Sequence, residues 1–384
     1  MKQLKLKNKA KAKELSKELL NFCVNNKFIQ KIAASKVYSS RIDNSRLENY
    51  LNNKKKIFID TAIGLNSLCY FFNPKLDYKN YFYRATKNLL EFAKNENIKL
   101  YISQRYVWEM QSQINDAFKE IIEYTGEEID LNYLAAMPSE SGMALSMHHA
   151  AECLLDYKRT TKFLKGFIQS IKDKQEQYPE ETIHVFYAGC GPFAPFITLV
   201  APLFSPDEVQ FSLLEINSKS LEAAKKLVHE LELTEYVKEY YLADAITFKI
   251  PNPESVHILF SETLDALLNR ECYVPILWNL LPQLSKETSL VPENVFIKLN
   301  FKKEGQKEEE ETFGATVFDT REALASVDKT EKLPEGLPST YVSLKDADQY
   351  FSIVLDTEVK IYKDYVLTRR ESSLTLALEI PIHK

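Results

Sequence analysis

Apolar and polar positions change their period twice along this chain. From residue 1 to about 140 the pattern is mostly helical, as in "RATKNLLEFAKNENI", and is broken by two short strand-like runs, "KKIFIDT" and "IKLYIS". The turn-like stretch "AAMPSESG" reads as a boundary. From Met143 to Phe301, strand and helix patterns alternate, which predicts a parallel α/β sheet. The strand candidates are "IHVFYA", "VQFSLLEI", "YVKEYYLAD", "SVHILFSE" and "NVFIKLNF". The long stretch "SMHHAAECLLDYKRTTKFLKGFIQSI" reads as helix before them, and "SLEAAKKLVHELEL" and "CYVPILWNLLPQL" as helices between them. After the charged run "KKEGQKEEEE", the stretches "VKIYKDYVLT" and "SSLTLALEIPI" alternate with period two, as half-buried antiparallel strands do. The expected domains are therefore residues 1–140, 143–301 and 302–384.

Composition narrows the partners more than the fold. The chain has 384 residues, 45% of them hydrophobic, which is enough for a large core in two or three domains. Its formal net charge of -5 provides no global field for nucleic acid, and the lysine-rich start reads as a solvated helix. The five cysteines (Cys23, Cys69, Cys153, Cys190 and Cys272) are scattered, with no CxxC pair. That argues against a disulfide framework or a metal site and for a reducing compartment. No apolar run reaches membrane-spanning length, so a soluble, cytoplasmic protein without a membrane partner is expected.

Chemistry concentrates around "HVFYAGCGPFAPF". Gly189 and Gly191 follow a strand candidate, and Pro192 and Phe193 are expected to open the next helix. A Gly-x-Gly turn there suits a nicotinamide dinucleotide, a nucleotide phosphate or S-adenosylmethionine. The next strand ends in Glu215, placed to accept hydrogen bonds from a ribose diol, a device that NAD enzymes and methyltransferases share. One strand later comes Asp244, in reach of an adenine amino group, and one further on come Ser261 and Glu262. Four successive strand ends with small or acidic groups outline one crevice.

These residues resemble the class I S-adenosylmethionine-dependent methyltransferases, and most closely the protein arginine methyltransferases, over about residues 156–301. In "LLDYKRTTKF", Leu154, Asp156, Arg159, Thr160 and Phe163 match a family helix whose arginine holds the methionine carboxylate of the cofactor. In "SETLDALLNRE", Glu262 and Glu271 match the spacing of the family's paired glutamates, which clamp the substrate guanidinium. The "LVPENVFIKL" stretch is similar to the family's approach to its fifth strand. The family's Thr-His-Trp substrate loop is missing, the C-terminal region is shorter than usual, and "TLDALLN" lacks the family's aromatic and glycine character. These departures leave the acceptor open.

The resemblance thus implies a Rossmann-like methyltransferase core with an N-terminal helix-rich α/β accessory domain and a small β-rich C-terminal region. Arg159, Gly189, Gly191, Glu215, Asp244 and Ser261 would bind S-adenosylmethionine, and Glu262 and Glu271 would be catalytic. The acceptor would be a peptide, a protein or a small amine, and a homodimer is among the assemblies implied. Two alternatives stay open: a catalytically silent S-adenosylmethionine-binding scaffold, and an NAD-dependent oxidoreductase. In the first zone, "KKIFIDTAIGLNSL" and "NIKLYISQRYVWEM" also resemble half of a PIN-type nuclease domain, in which Asp60 and Glu109 would help hold a divalent metal.

Overall fold

Three apolar runs, "IHVFYA", "VQFSLLEI" and "SVHILFSE", pair side by side in parallel. The computed structural model describes residues 111–112, 114–124, 131–139, 142–326, 342 and 349–382. The chain divides into two compact units, Met1–Glu120 and Ile121–Lys384, and the architecture below belongs to the second. "KKIFIDT", "IKLYIS", Asp60 and Glu109 lie outside the described residues.

A short antiparallel hairpin, β1 (Met137–Ser139) and β2 (Gly142–Ala144), is formed by the stretch read as a boundary. Two helices follow, α1 (Met147–Glu152) and α2 (Tyr157–Gln177). The sequence predicts one continuous helix here. The structure breaks it at Asp156, whose backbone leaves the helical region (φ -74°, ψ 88°) and whose carboxylate accepts the Arg159 amide at 3.4 Å. A carboxylate that caps a helix ends the preceding one and starts the next. Arg159 consequently lies in the first turn of α2.

The parallel sheet contains β3 (Ile183–Ala188), β4 (Val209–Glu215), β5 (Val237–Leu242), β6 (Ile258–Ser261) and β7 (Ser289–Val291), in the order β5-β4-β3-β6-β7. The chain starts in the middle, winds outward to β5, then returns to the other side of β3. That reversal is the topological switch point of a Rossmann-like sheet, where a crevice opens beyond the strand ends. The fold is thus the α/β, Rossmann-like class that the alternation predicts. The helix after β3 is shorter and later than expected. Pro192 and Phe193 lie in the turn, and α3 spans only Pro195–Thr198. After β4 comes α4 (Ser218–Glu230), capped by Asn217, and after β6 comes α5 (Tyr273–Leu280).

One strand assignment is corrected. "NVFIKLNF" is not the fifth parallel strand; that place belongs to the three residues of β7. The run instead forms β8 (Asn294–Lys302), which pairs antiparallel with β9 (Thr312–Asp319) and β10 (Ser352–Tyr362). The short strands β11 (Tyr365–Leu367) and β12 (Leu378–Pro381) complete this second sheet along β10. The reason is visible in the residues themselves. Lys298, Asn300 and Lys302 alternate with Ile297, Leu299 and Phe301, and a strand buried on both faces of a central sheet does not tolerate that many charges.

Helix α2 joins the two sheets. Toward the parallel sheet it presents Phe163 and Phe167, which meet Phe260 and Phe196; Phe167 and Phe260 have centroids 4.8 Å apart. All four side chains are buried, and removing one such ring costs about 3–5 kcal/mol. Toward the second sheet α2 presents Gly166. A Cβ there would stand 2.7 Å from Ile361 Cγ2, so only glycine allows the close approach. Among the described residues no helix is long and apolar enough to cross a membrane.

Candidate functional site

A cleft opens beyond the carboxyl ends of β3, β4, β5 and β6. It encloses about 1060 Å³ of non-atom space, its open mouth included, and apolar surface predominates in its lining. Of the residues singled out in the sequence, Arg159, Gly189, Gly191, Glu215, Asp244, Glu262 and Glu271 all line it.

The glycine turn forms the floor. Gly189 (φ 76°) and Gly191 (φ 67°) are both in the left-handed region. Their reasons for being glycine differ. A Cβ on Gly189 would collide with Thr263 Cγ2, so the loop after β6 presses on the turn. A Cβ on Gly191 would meet only Ala150 Cβ, at 3.9 Å, and would otherwise project into open space. Tyr187 fastens the turn from below by donating its hydroxyl to Cys190 O at 3.2 Å.

Two acids stand beside the turn. Glu215 is buried, and its Oε2 accepts the Gly191 amide at 2.8 Å while its Oε1 accepts the Asn217 amide at 2.9 Å. Burial raises its pKa against the pull of those amides. Each oxygen keeps a second lone pair for a further donor. Asp244 follows β5; its Oδ1 accepts the Ile246 amide at 2.9 Å and its Oδ2 accepts the Ser139 hydroxyl at 2.7 Å. Ser139 comes from the hairpin, which also places Met143 and Ala144 on the cleft wall.

The third group is ionic. Arg159 Nη2 donates to Glu262 Oε2 at 2.6 Å, and both side chains are nearly sealed from solvent. Burial works against the arginine's charge, but the adjacent carboxylate holds its pKa above the ordinary value. Burial likewise pushes Glu262 upward against the attraction of Arg159. Contact with a guanidinium that is always charged makes Glu262 the ionised partner. Its other oxygen, Oε1, is buried with no hydrogen-bond partner. Glu271 adds a second carboxyl. Burial raises its pKa to about 8; Arg159 opposes the shift, and Glu262 and Asp265 add to it. Near neutral pH, the Arg159 charge therefore faces one carboxylate, Glu262, and one carboxyl, Glu271, that is mostly protonated.

Ser261 is the exception among the expected residues. It is fully buried, its hydroxyl pairs with Thr263 Oγ1 at 3.1 Å, and it is not part of the cleft lining, whereas Thr263 is. Alternation along a strand explains the difference: the last residue of β6 faces the core, and the side chains of the following loop reach the cleft. Sequence reasoning missed Ser139, Tyr187 and Thr263. Tyr187 carried a signal, since it immediately precedes the glycine turn in "FYAGCG". Ser139 carried none, because only tertiary folding brings it to Asp244. Among the described residues no group of three or more His, Cys, Asp or Glu side chains is placed to hold a metal ion.

The sequence matches no protein-family profile and no curated protein. Among solved structures, the chain is similar to the Trypanosoma brucei PRMT1 enzyme–prozyme heterotetrameric complex with AdoHcy. The identity is 13%, the match covers 60% of this chain and 83% of that chain, and the TM-score is 0.37. It is also similar to Arabidopsis thaliana Protein Arginine Methyltransferase 10, crystallised in an open conformation. There the identity is 12%, the coverage 61% and 77%, and the TM-score 0.39.

Proposed function

We propose that the chain is an S-adenosylmethionine-dependent methyltransferase acting on a cationic or amine acceptor, with arginine in a protein or peptide as the leading candidate. One observation carries the reading. Glu262 Oε1 is a buried carboxylate oxygen without a hydrogen-bond partner, on the wall of a cleft it shares with Glu271. Leaving such an atom unmatched is costly unless a ligand supplies the donor. A cation offers the donors, and its charge would draw Glu271 into its ionised form beside Glu262.

The residues present fit the cofactor. Within the described residues the Arg159 guanidinium bonds only to Glu262, which leaves most of its five donors for a carboxylate. The open space in front of Gly191 admits an approaching ligand, and Glu215 and Asp244 retain lone pairs for the hydroxyl and amino groups of a nucleoside. When bound, S-adenosylmethionine supplies an electrophilic methyl group on a sulfonium. The chain's own work is to hold, align and neutralise. Arg159 would keep Glu262 in place, Glu262 and Glu271 would grip the acceptor, and the apolar walls would exclude water. Because Glu271 is mostly protonated near neutral pH, acceptor binding would displace that proton to solvent.

Calorimetry with S-adenosylmethionine and with NAD, followed by turnover with an arginine-bearing peptide, tests the reading. We expect S-adenosylmethionine to bind, NAD not to bind, and S-adenosylhomocysteine to accumulate. NAD binding without S-adenosylmethionine binding would overturn it in favour of an oxidoreductase. Tight S-adenosylmethionine binding with no product from peptide or amine acceptors would identify a silent binding module instead.

A further inference from the structure

Between β6 and α5 the chain runs from Glu262 to Cys272 and folds back so tightly that two consecutive leucines are left-handed. Leu267 has φ 60° and Leu268 has φ 53°. An L-residue in that region costs about 1–2 kcal/mol, and no glycine in the loop relieves it. Such a conformation persists only where its surroundings over-determine it. Two of the restraints come from other elements. Thr357 Oγ1 on β10 accepts the Leu267 amide at 2.8 Å, and the Met143 amide on β2 donates to Arg270 O at 3.2 Å.

The third restraint is internal to the loop. The Asp265 carboxylate accepts the Arg270 amide at 3.0 Å through Oδ2 and at 3.2 Å through Oδ1, and the Glu271 amide at 3.4 Å through Oδ1. Its contact with the Arg270 side chain is long, at 3.5 Å, and that side chain is mostly exposed, so the ion pair itself contributes little. The two amides matter more, because they fix the backbone that carries Glu271. Asp265 is not part of the cleft lining. Its negative charge is thus spent on the loop rather than offered to a ligand.

The charged and titratable groups facing the Glu271 carboxyl come from every element around it. Cys153 and Arg159 belong to the segment from α1 to α2, Glu262 to the end of β6, and Asp265, Arg270 and Cys272 to the loop itself. On the reading that this cleft methylates a cationic acceptor, we propose that Asp265 is a positioning residue. By binding the Arg270 and Glu271 amides it holds the Glu271 carboxyl beside Glu262, so that one cation meets both.

Full-length protein carrying 13C-labelled glutamate carboxyls tests this without any acceptor. In the wild type, Glu271 should titrate with a midpoint near 8. Asp265→Ala removes a negative charge that raises this midpoint, so the midpoint should fall whether or not the loop moves, and the loop itself is read from its amides. Exchange of the Arg270 and Glu271 amides should then accelerate roughly tenfold, as expected for losing one hydrogen bond to a charged acceptor. Asp265→Asn keeps an acceptor oxygen but not the charge. Its amide exchange should stay near the wild-type rate while the Glu271 midpoint still falls, and it carries the test if the alanine variant does not fold.

With S-adenosylmethionine and an arginine-bearing peptide as probes, Asp265→Ala should lower kcat about 100-fold, the scale of a 1 Å misplacement, with the cofactor Kd unchanged. Unchanged amide exchange at Arg270 and Glu271 in Asp265→Ala would overturn the positioning role, whatever the titration and the turnover. A wild type that neither binds S-adenosylmethionine nor turns over would instead overturn the methyltransferase reading, and the amide exchange would still report on the loop.

Discussion

At the amino-terminal ends of β3 and β6, His184 and His257 meet Ser212, Ser255 and Glu181; beyond the carboxyl ends of the same strands, Glu262 and Glu271 meet Arg159. Both clusters bury polar side chains against one sheet, but they finish differently. At the first, the His184 amide donates to His257 Nδ1 at 3.0 Å, the His184 ring pairs with Ser212 Oγ at 2.9 Å and with Ser255 Oγ at 3.2 Å, and His257 Nε2 reaches Glu181 at 3.3 Å. Every ring nitrogen has a partner. At the second, an oxygen of Glu262 has none. A closed polar network holds a fold together, whereas an open one has an unused capacity to bind.

The Arg369 cluster on the second sheet sharpens the contrast. That guanidinium bonds to Asp356 through two nitrogens and pairs with Glu311 at 2.7 Å and with Glu308 at 3.6 Å. A half-buried arginine is therefore not by itself a site. Arg159 differs because it lines the cleft, together with the carboxylate it pairs with.

Breaking the open end should have the largest effect. Arg159→Ala removes the cation that opposes burial at Glu262, so the buried carboxyl either stays unpaired or takes up a proton, and stability should fall by at most about 3–5 kcal/mol. Denaturant unfolding measures this directly, and cofactor binding should disappear as well. The structure thereby joins two residues that the sequence assigned to separate tasks: Arg159 to the cofactor, Glu262 to the acceptor. A variant of wild-type stability would mean that Glu262 is already protonated and that the ion pair is not formed.

Acidity separates the two ends next. His184 is held neutral, chiefly by burial and further by Lys238, with a folded pKa of about 4 against an ordinary 6.5. Between pH 6.5 and 4 the unfolded chain binds the extra proton, so stability falls as pH falls through that window. Glu271 runs the other way. Its folded pKa near 8 lies above the ordinary 4.5, so its contribution is fully present below pH 4.5 and is lost as pH rises through 8. Melting temperatures measured across pH should show the alkaline loss diminished in Glu271→Gln and the acid loss unchanged. Turnover should move opposite to the alkaline stability, rising toward pH 8 as Glu271 ionises.

Opening the closed end should be milder and leave the ligand untouched. His184→Ala leaves the buried Ser212 hydroxyl without its ring partner, while Ser255 keeps its bond to Asn252 O, and should cost about 1–3 kcal/mol. Its S-adenosylmethionine affinity should match the wild type; a weakened affinity would mean that the two ends of the sheet are coupled.

The smallest effect is expected at Leu267. Replacement with glycine relieves about 1–2 kcal/mol of left-handed strain but adds about 0.5–1 kcal/mol of unfolded-chain entropy, so stability should change little. Turnover should fall nonetheless, because the loop that carries Glu271 loosens. Unchanged turnover would separate the strain from the function.

What the sequence determined by itself was whatever one element could express alone. The runs of β3, β4 and β6 were legible because largely apolar stretches between turn signals have few other uses, and α4 because its apolar stripe keeps helical spacing. Gly189, Gly191, Glu215, Asp244 and Glu262 were legible because each stands at or just past the end of such a run, where topology gathers ligands. The tertiary structure decided the rest. β7 is three residues long, too short to show a period, so a neighbouring strand that belongs to the second sheet was read in its place. The break at Asp156 depends on one carboxylate capping one amide, and nothing in the surrounding helical pattern marks it. Above all, the pairing of Arg159 with Glu262, the reach of Ser139 to Asp244 and the unpaired Glu262 oxygen join residues about a hundred positions apart. Local periodicity reports what a segment buries; which polar atoms find partners, and which do not, is settled only when the segments meet.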